Sequence, residues 1–329
     1  MLGVYDMHFF RKALIFTAAA IIVVASLSSC TESRQNSEGK LSIVCTDFSE
    51  YDWVKNLIGS ADSANITYLL SNGVDIHNYQ PSTQDMLTIS NCDVFIYSGG
   101  ESETWVDDAL KNTHNNDIKV LRLFDTLGQN LKEEETKEGM EQDEDDKHDD
   151  GIEYDEHIWL SVKNAKFLCS SICNTLCEAD PSNAGTYRSN LDKYEEKLEK
   201  LDQEYTQMAS SSTERTIIVG DRFPFRYLVD DYNIDYYAAF AGCSAETNAS
   251  FETIATLAGK LDELKLGTVF ILENSDDSIA RSIIDNSKSR NANIEKLNSL
   301  QSINKKDVDS GVTYISLMEE NLETLKKVL

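Results

Sequence analysis

The chain has 329 residues, 41% of them hydrophobic and only three of them proline, enough to bury a substantial core in one large domain or two lobes. Its formal net charge of −27 repels phosphate, which excludes nucleic acid as a partner and disfavours acidic ligands. Cations are the complementary ligand class.

Residues 1–29 read as a signal peptide, because Arg11 and Lys12 precede an apolar run from Ala13 to Leu27 that ends in small residues. The run is shorter than the ~20 residues of a spanning helix, which argues against an uncleaved anchor. Leu27-Ser28-Ser29-Cys30 has the form of a bacterial lipobox, in which Cys30 receives lipid and becomes the mature N-terminus. Residues 30–40 are polar and lack aromatics, as a flexible tether does. The mature protein is therefore expected outside the cytoplasm, lipid-anchored to a bacterial membrane.

From residue 41 the pattern alternates. "KLSIVCTDF", "ANITYLLSNG", "CDVFIYSGG" and "IKVLRLF" read as strands, and "SEYDWVKNLIGS", "STQDMLTIS" and "TWVDDALKNT" between them as helices. This order predicts an open parallel sheet with ligand groups at the carboxyl ends of its strands. Residues 133–156 break the series with fourteen carboxylates against Lys137 and Lys147, and are expected to form a disordered loop in which His148 offers low-affinity metal collection.

Six cysteines follow Cys30. Cys169, Cys173 and Cys177 recur every four residues, a helical spacing that leaves about 5–6 Å between Cβ atoms where a disulfide needs about 3.8 Å. Beside Leu168, Ile172 and Leu176 they read as a core stripe, and no bridge is assigned. Residues 180–211 form one long amphipathic helix with Tyr187, Leu191, Tyr194, Leu198, Leu201 and Tyr205 on one face and Asp180-Pro181 at its start. A second series runs through "RTIIVGD", "GTVFILE" and "IEKLNSL" to a last helix, "TYISLMEENLETLKKVL". The expected architecture is α/β: two lobes, 41–179 and 212–329, each with an open, mostly parallel sheet flanked by helices, joined by the helix 180–211.

Of five histidines, His8 falls in the signal and His114 in a polar turn. His77 and His157 lie at element boundaries, where side chains converge on clefts. The stretch "LLSNGVDIHNYQPSTQDMLTISNCDVFIYSGGESETWVDDAL" and, after the acidic loop, "DEHIWLS" resemble metal-binding lipoproteins that serve ABC importers of zinc or manganese. The resemblance runs from about Leu41 to Leu329. It implies that His77 and His157 ligate a metal ion in a cleft between the lobes. In the second lobe the pattern departs: where relatives place a histidine or glutamate this chain offers Asp221, where they place an aspartate it offers Asn298, and Glu246 is held in reserve.

Two imidazoles and a carboxylate suit Zn2+, while Mn2+ favours more oxygen ligands. The resemblance thus implies a monomeric, extracytoplasmic zinc-capturing protein that delivers to an ABC transporter permease. The alternatives are a manganese importer component, a zinc-dependent hydrolase or a surface adhesin. No HExxH, GxSxG or P-loop pattern occurs, so an enzyme is not expected.

Overall fold

The computed structural model describes residues 40–59, 63–111, 113, 115–141, 153–244 and 248–329. The signal peptide, Cys30, His114, His148 and Glu246 lie outside the described residues. In the first lobe β1 (Leu41–Cys45) pairs in parallel with β2 (Ala64–Tyr68) and β3 (Val94–Tyr97), and β3 pairs with β4 (Lys119–Arg122), giving the order β2-β1-β3-β4. The apolar run of β3 is buried along its whole length, as a strand covered on both faces must be. Helices α1 (Phe48–Ile58), α2 (Thr83–Asn91) and α3 (Trp105–Lys111) connect these strands, and α4 (Leu123–Leu127) follows β4. Capping boxes at Asp47/Glu50 and Ser82/Asp85 open α1 and α2 by satisfying their free N–H groups.

Helix α5 (Val162–Ala179) buries Cys169, Cys173 and Cys177 beside Leu168, Ile172 and Leu176. All six described cysteines are free, with Cys173 and Cys177 Sγ atoms 4.0 Å apart, so the stripe is core. The linking helix α6 (Ala184–Ser211) begins four residues later than its sequence signal. Asp180 instead closes a turn, its carboxylate accepting from Asn183 Nδ2 (2.7 Å) and Tyr187 Oη (2.8 Å).

The second lobe repeats the plan with β5 (Thr216–Arg222), α7 (Arg226–Tyr232), β6 (Asp235–Phe240), α8 (Phe251–Glu263), β7 (Thr268–Leu272), α9 (Ser278–Asn286), β8 (Asn293–Leu297), α10 (Lys305–Asp309) and α11 (Tyr314–Lys326). Its sheet is parallel throughout, in the order β6-β5-β7-β8. β6 was not among the expected strands. Its "DYYAAF" carries Asp235, Ala238 and Ala239, residues of weak strand preference, and parallel pairing with β5 overrides that preference.

The last helix crosses back to the first lobe. Tyr314 N donates to Asp52 Oδ2 (3.1 Å), its ring meets Trp53 edge-on, and Tyr205 Oη donates to Met318 O (2.6 Å). One hydrophobic core therefore runs through both lobes around α6, while a smaller one lies between the second sheet, α8 and α9.

The expected disorder of 133–156 does not hold at its two ends. Glu133 bridges to Tyr154, Lys137 pairs with Asp235 at 2.5 Å, Arg226 with Glu135 at 3.4 Å, and Glu141 accepts from Ser250 N. The charges that argued for disorder find partners on the second lobe, which sequence composition does not reveal.

At the carboxyl ends of β1 and β3, Asp47, Glu50 and Glu103 are buried together. Ser98 Oγ lies 3.2 Å from both Asp47 and Glu50, and Gly99 N donates to Glu103 Oε2 (2.6 Å). Burial pushes Asp47 up to about 6 and, with the nearby Asp47 charge, Glu103 up to about 8. An acid whose pKa is raised by folding binds its proton more tightly in the native state. Stability contributed by this cluster is therefore present below the ordinary carboxylate range and declines as pH rises toward 8. Glu103→Gln should raise the melting temperature by several degrees at pH 8 and by much less at pH 5, since a pKa unit is worth about 1.4 kcal/mol. A variant that melts lower than the parent at pH 8 would contradict a destabilising buried charge.

Candidate metal centre

His77 lies in the single 3-10 turn Ile76–Asn78 that follows β2. Asp75 caps this turn by accepting from His77 N (3.1 Å), and its other oxygen takes the guanidinium of Arg222, at the end of β5, at 2.5 Å. An ion pair from the second lobe thus holds the turn that carries the first-lobe histidine. His157 is fully buried where the chain leaves the acidic segment and enters a short turn before α5. Asp155 Oδ1 accepts from both His157 N (2.9 Å) and Nδ1 (3.0 Å), and Trp159 packs edge-on against the ring.

The two Nε2 atoms lie 3.2 Å apart. At Zn–N distances of ~2.0–2.1 Å, nitrogens so spaced subtend about 100° at a shared ion, close to tetrahedral. Both δ nitrogens are engaged elsewhere, His77 Nδ1 by Ser102 Oγ (2.8 Å) and His157 Nδ1 by Asp155, so both ε nitrogens face the same point. A carboxylate behind a ligating histidine is the arrangement that fixes the ring and raises its basicity.

Burial, and then the charge of His157, push His77 down to about 3, leaving it a neutral imidazole with a free lone pair. Burial opposes charge on His157 as well, yet Asp155, Glu156 and Glu134 together lift its pKa above the ordinary imidazole value. The pair thus sits in negative potential while one member stays uncharged, a setting complementary to a divalent cation.

Two further side chains lie beside the histidine pair, and neither was a sequence candidate. Cys243, in the loop after β6, offers an Sγ that lies with one nitrogen of each histidine in a group whose atoms are all within 4.8 Å of one another. Its backbone N donates to Glu134 Oε1 (3.0 Å), so the first residues of the acidic segment belong to the frame of the site. Burial, with Glu134, Asp155 and Glu156, keeps its thiol well above the ordinary thiol pKa. Gln301 places Nε2 3.0 Å from His77 Nε2 and 2.9 Å from His157 Nε2. Its loop is braced by Ser299, which donates through N (2.9 Å) and Oγ (2.8 Å) to Glu273 and accepts Trp159 Nε1 at its carbonyl (3.0 Å).

Asp221 and Asn298, the expected second-lobe ligands, are hydrogen-bonded elsewhere. Asp221, within the β5 segment, accepts from Arg222 N (2.8 Å) and Leu272 N (3.2 Å), tying β5 to the end of β7, and it stands outside the His–His–Cys group. Asn298 exchanges bonds with Asn321 and accepts at Oδ1 from Leu300 N (2.8 Å). That turn, with Leu300 at φ 65°, carries the chain round so that Gln301 points at the histidines. The only sequence signals were proximity: Cys243 stands three residues before Glu246, and Gln301 three after Asn298.

Residues 43–328 match the family model described as ZnuA, zinc-uptake complex component A, periplasmic. The chain is 30% identical over 319 residues to the zinc-binding lipoprotein AdcA of Streptococcus pneumoniae, covering 95% of this chain and 60% of that protein's length. It is 27% identical to the high-affinity zinc uptake system protein ZnuA of Bacillus subtilis, covering 96% of each. The crystal structure of the Zn(II)-bound ZnuA-like domain of S. pneumoniae AdcA superposes with a TM-score of 0.70 at 28% identity, over 88% of this chain and 99% of that one.

Proposed function

Because the chain belongs to the family of zinc-uptake complex component A, we propose that it captures Zn2+ outside the cytoplasm between His77 and His157 and presents it to the permease of an ABC importer. The observation that carries this reading is the pair of Nε2 atoms 3.2 Å apart, each ring held by a bond at its δ nitrogen. An ion there touches side chains from both sides of the cleft, since Gln301 and Cys243 come from the second lobe and His77 from the first. Its binding therefore favours lobes held together, and the Asp75–Arg222 ion pair contributes to the same closure.

The protein performs no bond-making chemistry on its cargo in this reading. It acts as a monomer, and lipid on Cys30 keeps it at the membrane. Zinc is favoured over manganese because two nitrogen donors in a buried setting suit the borderline-soft ion.

Equilibrium titration of the full chain should find one tight zinc per molecule, and His77→Ala should weaken it by about 100-fold or more. Unchanged zinc affinity in that variant, or no zinc bound by the parent chain, would overturn the reading.

A further inference from the structure

Resting on that reading, we infer that Cys243 is the third ligand of the ion and the residue that sets metal choice, directing the site to zinc and other thiophilic cations and away from Mn2+. Gln301, turned so that its amide oxygen faces the ion, completes the set. Three observations carry this. Cys243 Sγ is grouped with nitrogens of His77 and His157 within 4.8 Å, though the three residues come from three separate loops. In a tetrahedral site with Zn–S ~2.3 Å and Zn–N ~2.0–2.1 Å, sulfur and nitrogen ligands stand about 3.6 Å apart, a spacing near that of a group spanning no more than 4.8 Å. Cys243 is also partly exposed, while the other five described cysteines are buried, and its backbone is pinned by Glu134.

The chemistry follows from the donor set. On binding, the thiol loses its proton to solvent as the sulfur–metal bond forms, and no electrons are transferred. Two neutral imidazoles and one thiolate leave a divalent ion with a residual charge of +1, and the buried Asp155 behind His157 compensates it. A thiolate raises affinity for zinc and its soft relatives. It offers little to Mn2+, which prefers carboxylate, carbonyl and water oxygens. An amide in the fourth position adds no charge, so the sulfur carries the discrimination.

Cobalt(II), which takes the zinc geometry and is coloured, tests this in the full chain. The parent should bind one Co2+ with a near-ultraviolet sulfur-to-cobalt charge-transfer band, and Cys243→Ser should lose that band. The same substitution should cost about 100-fold in zinc affinity and lower the preference for zinc over manganese at least about tenfold. Alkylation of native protein by iodoacetamide, read by mass spectrometry on the peptide containing Cys243, needs no variant at all, and zinc should protect that peptide. One tight, His77-dependent zinc with no thiolate band and no protection of Cys243 would overturn the inference while leaving the capture function standing. Absence of tight metal binding in the parent would remove both.

Discussion

His157→Ala should abolish tight zinc binding and also lower the melting temperature of the metal-free protein, whereas His77→Ala should do only the first. A structural zinc site is worth about 10–16 kcal/mol over four ligands, so either imidazole accounts for roughly 3 kcal/mol, a loss of about 100-fold or more. The difference lies in what each ring leaves behind. His157 is fully buried and its Nδ1 is the side-chain partner of the buried Asp155, so its removal leaves that carboxylate with only the backbone N–H of residue 157, at a cost of about 3 kcal/mol. For a chain of this size that is a fall of roughly 4–5 °C. His77 is partly exposed, and its partner at Nδ1 is the hydroxyl of Ser102, which water can satisfy. Thermal melts of both variants in chelator, beside zinc titrations, measure the two effects separately. Equal melting temperatures for the two variants would show that Asp155 does not depend on the ring.

Gly242→Ala should weaken zinc binding by about 10–100-fold although residue 242 offers no ligand atom. A Cβ there would meet Phe223 O at 2.9 Å and the His157 ring at Cε1 (3.0 Å) and Nδ1 (3.2 Å). Neither neighbour yields easily. The carbonyl is backbone, and the ring is clamped by Asp155 on one side and Trp159 on another. The ring must tilt, taking Nε2 off the shared point and straining the loop that presents Cys243. Gly259→Ala is the control: it lies within α8 with nothing inside 4 Å of the added carbon, and it should leave zinc binding unchanged while stabilising the helix by ~1 kcal/mol. If Gly242→Ala bound zinc as tightly as the parent, the ring would not be held as rigidly as its contacts imply.

What the sequence determined by itself was the local order. Short apolar runs alternating with amphipathic segments encode parallel strands and their covering helices, and the Cys169–Cys173–Cys177 stripe encodes a core face, because both signals are periodicities of neighbouring residues. His77 and His157 stood out by position, each at an element boundary within a short motif. The tertiary structure decided what joins them. Cys243 is 86 residues beyond His157 and Gln301 a further 58, so no spacing rule links them, and only the turn at Asn298–Leu300 and the loop after β6 bring them in. Asp221 was a candidate through its place in the resembled pattern, and the fold sets its carboxylate to accept the N–H groups of Arg222 and Leu272. Likewise Glu134, Glu135 and Lys137 read as solvated charge until the second lobe supplied partners at Cys243, Arg226 and Asp235. A side chain's chemistry is local, whereas which competing partner it meets depends on distant segments whose packing no local pattern records.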